Sequence, residues 1–120
     1  MSETRIFVFG SNEAGRHGKG AAKFALDHRG AVYGQGYGLH GQSYAIPTKD
    51  KRIQTLSLEE IQKYVCIFRA FAFEHPELRF ELTPIGCGLA GYTPEQIAPM
   101  FANTPDNVDL PEEFKKVLQK

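Results

Sequence analysis

The sequence predicts an α/β domain with a mixed, largely parallel sheet, and three observations carry that prediction. Short apolar runs rich in aromatic and β-branched residues alternate with stretches of helical periodicity, the pattern of strands joined by crossover helices. The twelve glycines fall in three clusters, at residues 10–20, 30–41 and 86–91, whereas residues 42–85 contain none. Two of those clusters directly follow runs that read as strands, and in sheets of this class ligands bind beyond the carboxyl ends of the strands.

Residues 5–9 form a compact apolar run around Ile6, Phe7, Val8 and Phe9, which predicts a buried strand. Ala21, Ala22, Phe24, Ala25 and Leu26 predict a short helix over 20–28, with Gly30 at its C-cap. Residues 31–33 and 43–46 read as short strands flanking a Gly-rich connection, the second ended by Pro47. Ser57 and Glu60 have the spacing of a capping box, and Leu58, Ile61, Val65, Phe68 and Ala72 follow at helical spacing. That helix runs to about residue 74, with Pro76 beyond it. Residues 79–85 read as a strand. Thr93 as N-cap and Pro94 at the first helical position open another helix. A short strand near Val108 and a terminal helix from Pro111 complete a single domain over residues 1–120.

Composition narrows the function. The chain has 120 residues, 42% hydrophobic and 23% charged, enough apolar side chain for one packed core. Fourteen basic residues balance fourteen acidic ones, so no general field draws the protein to a nucleic-acid backbone or an anionic membrane. An anion, if bound, is held by local backbone geometry. The apolar stretch 6–9 is too short for a signal segment or a membrane span, which predicts a cytoplasmic protein. Cys66 and Cys87 lie far apart and read as reduced thiols, and four scattered histidines suggest no metal site. No cofactor is implied. A net charge near zero is compatible with a homo-oligomer, and Phe68, Phe71 and Phe73 read as core with overspill into a dimer contact.

Gly10, Ser11, Asn12, Gly15, Gly18 and Gly20 make the first loop, which leaves a strand and enters a helix through small residues. Free N–H groups and the positive end of a helix dipole suit phosphate there, with Arg16, His17 and Lys19 as mobile donors beside them. It is not a P-loop, because Gly18-Lys19 is followed by Gly20 and not by Ser or Thr. The second loop, Gly86-Cys87-Gly88-Leu89-Ala90-Gly91-Tyr92, matches GxGxxG after a strand, but too little chain follows for a dinucleotide half-domain. As a pair, the loops suit one diphosphate held from opposite sides. The middle cluster, Gly34 to Gln42, reads equally as a flap presenting Tyr37 and His40 or as a solvated connection.

Gly10-Ser11-Asn12 followed by Gly15, Gly18, Gly20 and Ala21-Ala22, together with Ile85-Gly86-Cys87-Gly88-Leu89-Ala90-Gly91-Tyr92, resembles the two glycine loops of the macro domain family. The resemblance implies a three-layer α/β/α sandwich and a ligand of the ADP-ribose class. The second loop would wrap the diphosphate, Asn12 would face the distal ribose, and Tyr92 would pack near it. Lys19 stands about where hydrolytic members of that family carry an acidic residue, so binding is implied more firmly than catalysis. Weak ADP-ribosyl hydrolysis would use Asn12 and His17 to orient water. Two other readings stay open on the residues alone. One is a protein-interaction module whose glycines only make turns. The other is a hydrolase or transferase with Cys87 as nucleophile and His17 or His40 as base.

Overall fold

Side-chain alternation in the first strand sets the sheet. In β1 (Arg5–Asn12) successive side chains point to opposite faces, and Ile6 and Val8 join one apolar cluster while Phe7 and Phe9 join another. A strand that is apolar on both faces belongs at the centre of a sheet. In a computed structural model describing residues 5–119, β1 is the middle of five strands in the order β2-β3-β1-β4-β5. The others are β2 (Gly38–His40), β3 (Ser43–Lys49), β4 (Arg79–Leu82) and β5 (Val108–Asp109). β1 pairs in parallel with β3 and β4, β4 pairs in parallel with β5, and β2 runs antiparallel to β3.

Four α-helices accompany this mixed, mostly parallel sheet among the described residues. α1 (Gly20–His28) buries Ala22 and Ala25 against Phe9 and Ala45. Gly30, at a φ of +78°, turns the chain out of this helix, and the Ala31 N–H returns to the Ala25 carbonyl at 3.2 Å. In α2 (Leu58–Glu74) the capping box forms: Glu60 N–H donates to Ser57 Oγ at 3.2 Å, and Ser57 N–H donates to Glu60 Oε1 at 3.1 Å. Ile61, Val65, Phe68 and Ala72 line its fully buried face. Phe68 meets Tyr44 and Phe80 edge to face at centroid distances of 5.0 and 5.3 Å, a geometry that adds to the burial of each ring. α3 (Pro94–Ile97) runs into a 3₁₀ turn, and α4 (Glu112–Leu118) stacks Phe114 on Phe101 at 5.7 Å. Among the described residues no helix is long and apolar enough to cross a membrane.

The structure departs from the sequence reading in three places. Residues 31–33 form no strand, because their neighbourhood serves the first glycine loop: the Val32 and Gln35 carbonyls accept from His17, and Gly34 N–H donates to Gly15 O at 2.8 Å. The pairing strand is instead β2, inside the glycine cluster. Pro47 does not end β3, which continues to Lys49; β2 pairs only with Ser43–Ala45, so Pro47 lies past the end of that ladder and its missing N–H is tolerated. β4 stops at Leu82: Thr83 still donates through N–H and Oγ1 to Val8 O at 3.0 and 2.8 Å, and the chain then turns, with Ile85 N–H donating to Thr83 O at 2.7 Å.

The two-residue edge strand β5 needs side-chain support. Arg79 donates from Nε and Nη2 to the Asp109 carboxylate at 2.9 and 2.5 Å, which holds that carboxyl below its ordinary range. Asn107 Nδ2 donates to the carbonyls of Ala72, His75 and Leu78 at 3.0, 3.0 and 3.1 Å, tying the end of α2 and the turn into β4 to the residue that precedes β5. Asn107→Ala should therefore cost about 1–3 kcal/mol, read as a lower denaturation midpoint at unchanged slope. Asn107→Asp should cost more, since it sets carboxylate oxygen against three carbonyls.

Candidate functional site

The chain leaves β1 through α1 toward β3, and it leaves the neighbouring β4 through α3 toward β5, on the other side of the sheet. Adjacent parallel strands whose connections diverge leave a crevice at their carboxyl ends. A cleft of about 690 Å³ occupies that position. All four parallel strands feed it: Gly10, Ser11 and Asn12 from β1, Thr48 and Lys49 from β3, Thr83 just past β4, and Glu113 shortly after β5.

One wall is the start of α1. Lys19, its N-cap, is extended, no side chain caps the helix, and the first turn holds no acidic residue. Gly18, Lys19, Gly20, Ala21 and Ala22 line the cleft. The N–H groups that begin a helix lack intrahelical partners and carry the positive end of its dipole. The segment from Gly86 to Ala90 forms a second part of the lining. The N–H groups of Cys87, Gly91 and Tyr92 are bonded within that loop, to Pro84, Gly88 and Gly86 carbonyls. Those of Gly88, Leu89 and Ala90 make no such bond among the described residues. The charged side chains lining the cleft are Arg16, Lys19 and Lys49 against Glu113, a local cationic excess in a neutral chain.

Two kinds of glycine stand out around the cleft. At Gly36 an added Cβ would lie 1.8 Å from Asn12 O, and at Gly15 it would lie 2.2 Å from the Gly34 carbonyl carbon. These two permit the backbones of the first and middle clusters to touch. Gly18 and Gly88 differ: neither has a positive φ, and an added Cβ would meet nothing within 4 Å. Neither the fold's backbone nor its packing requires glycine there, and both line the cleft.

Around this frame the first loop is firmly tied. Asn12 Nδ2 donates to Arg16 O, and Asn12 Oδ1 accepts from Arg16 N–H, both at 2.9 Å. Ser11 Oγ donates to Gly36 O. Glu13 N–H donates to Lys49 O at 2.9 Å, and its carboxylate accepts from the Tyr64 hydroxyl. That bond and burial push the Tyr64 pKa up to about 12.

The cleft brings together Gly10, Ser11, Asn12, Gly18, Lys19 and Gly20 with Gly86, Cys87, Gly88, Leu89 and Ala90. Gly15, His17, Gly91 and Tyr92 do not line it. Gly15 packs against the backbone of Gly34 and Gln35. Tyr92 donates to Leu56 O at 2.6 Å and packs on the core, fixing the loop from behind. His17 is 1% exposed, edge-on to Phe9, with Nε2 at 3.1 Å from both Val32 O and Gln35 O. Both neighbours are acceptors, so Nε2 carries the hydrogen and the ring ties two loops together. His40 sits on β2, away from the cleft, and Cys87 lines it with a thiol that burial, then Glu113 and Glu95, push up and keep protonated at neutral pH. Among the described residues no group of His, Cys, Asp or Glu is placed to hold a metal ion.

Sequence reasoning missed Thr48, Lys49, Ile53, Thr83 and Glu113, all of which line the cleft. Extending the second parallel strand through Pro47 would have placed Thr48 and Lys49 at its carboxyl end; Ile53 and Glu113 carry no comparable signature. Compared with known proteins, the chain matches no family model, and no curated protein or solved structure matches it significantly.

The two kinds of glycine should separate by experiment. Gly36→Ala should lower stability by at least about 2 kcal/mol, because backbone must move. Gly18→Ala should stay within about 0.5 kcal/mol of wild type, both read by chemical denaturation.

Proposed function

We propose that the cleft binds ADP-ribose or a related nucleoside diphosphate, its diphosphate lying between residues 18–22 and residues 86–90. The observation that carries this reading is Gly18 and Gly88: two exposed, cleft-lining glycines that the fold does not require, each with open space where a side chain would begin. The uncapped start of α1 and the side chains of Arg16, Lys19 and Lys49 supply the positive potential that phosphate needs. A cleft of about 690 Å³ lies within the size range of small-molecule and cofactor sites.

In this reading the chain is a macro-like three-layer α/β/α sandwich. Support comes from the two apolar clusters that take alternate residues of β1, one with α1 and the other with α2. Binding without hydrolysis is the favoured form. His17 is buried outside the cleft lining, the Asn12 amide is already bonded at both ends to Arg16, and the Cys87 thiol is not activated.

The test is thermal unfolding with ADP-ribose, ADP and a short oligonucleotide. ADP-ribose at about one hundred times its dissociation constant should add about 2.7 kcal/mol, and the oligonucleotide should add nothing. Gly88→Glu should keep the unliganded melting temperature and weaken ADP-ribose on the order of a hundredfold, through like charge at the diphosphate. Wild-type affinity in that variant would remove the second loop from the site. No shift with any nucleotide would overturn the reading and favour a protein-interaction module.

A further inference from the structure

Among the described residues, Ile53 is the one non-glycine held at positive φ, at +63°. A β-branched side chain in that region is a genuine outlier. The surrounding hydrogen bonds enforce it. Asp50 N–H donates to Gln54 O at 2.8 Å and Ile53 N–H donates to Asp50 O at 3.0 Å. Asp50 Oδ1 accepts from the N–H groups of Arg52 and Gln54 at 2.8 and 3.0 Å, and Lys49 bridges to Thr55. Three-residue hairpin loops of this kind end on a left-handed residue, a position suited to glycine or asparagine.

Core packing does not repay this strain, because Ile53 belongs to neither apolar cluster. It lines the cleft instead. Thr55 Oγ1 donates to Ala90 O at 3.1 Å and so ties the hairpin to the second glycine loop. Leu89, next to that contact, is 69% exposed, lies outside both clusters, and also lines the cleft. Two aliphatic side chains without core partners thus stand on adjoining segments beside the site assigned to the diphosphate. Strained residues persist where their surroundings over-determine them, and they gather at ligand clamps.

We propose that Ile53 and Leu89 form an apolar shelf for the planar ring of the ligand, so that the cleft selects nucleotides over bare diphosphates and sugar phosphates. This rests on the reading that the cleft holds a diphosphate. The rigid left-handed backbone aims Ile53, and the tie to Ala90 keeps the shelf in register with the loop that faces the phosphates.

The shelf makes stability and affinity respond differently to one substitution. Titration calorimetry with ADP-ribose, and with pyrophosphate competing against it, is run on wild type, Ile53→Asn and Leu89→Ser. Asparagine accepts the left-handed backbone, so Ile53→Asn should melt at or above the wild-type temperature while binding ADP-ribose about tenfold more weakly. Pyrophosphate affinity should not change. Leu89→Ser, at an exposed position, should keep the melting temperature and also lose ADP-ribose affinity. If both variants bind ADP-ribose as wild type does, or lose pyrophosphate equally, the shelf is overturned and the diphosphate reading stands. If the wild type binds neither compound, or pyrophosphate fails to compete, the diphosphate reading falls and takes the shelf with it.

Discussion

Backbone packed directly on backbone, between the first glycine loop and residues 31–36, is the constraint on which the cleft depends. A side chain at Gly36 would overlap the Asn12 carbonyl, and one at Gly15 would overlap Gly34. Because the chains touch at these points, Ser11 Oγ reaches Gly36 O and Gly34 N–H reaches Gly15 O. The buried His17 ring bonds the same segment from within. Thus braced, the loop leaves β1 and delivers the start of α1, uncapped, to the rim of the crevice. A looser loop would place those N–H groups with less precision and lose the preorganisation on which the proposed binding of phosphate depends.

The second loop is braced by other means. Tyr92 anchors it through Leu56 and the core, Thr55 ties Ala90 to the hairpin, and three of its own N–H groups bond inward. What remains with unbonded N–H groups at the cleft is the stretch from Gly88 to Ala90. In a chain of zero net charge, the cleft lining gathers three basic residues against one acidic residue, beside the uncapped start of α1. A smaller groove of about 370 Å³ lies elsewhere, between β2 and α2, and exposes Tyr37 and Ile67. It is largely apolar and lacks cationic side chains in its lining.

Much of this was legible in the sequence where local chemistry decides structure. The capping box at Ser57, the buried stripe from Ile61 to Ala72 and the apolar run at Ile6 each declare their element, and the sheet follows from their alternation. The two loops at strand ends were visible because glycine clusters there. Long-range contacts were not. Nothing near residues 31–36 announces that its carbonyls serve His17, so residues 31–33 read as a strand and the histidine as a mobile donor. Pro47 reads as a terminator because the short reach of β2 cannot be known from β3. Tyr92 reads as a ligand contact because the Leu56 carbonyl that holds it is 36 residues away. Ile53 is hidden for a different reason, since an ordinary isoleucine gives no sign of a left-handed backbone.

The most direct measurement is a backbone amide NMR titration of the isotopically labelled protein with ADP-ribose. A diphosphate held between the two loops predicts the largest shifts at Gly18 to Ala22 and at Gly88 to Ala90, with little change around Tyr37 and Ile67. Shifts concentrated at the β2 and α2 groove, or none at either glycine loop at saturating ligand, would contradict it.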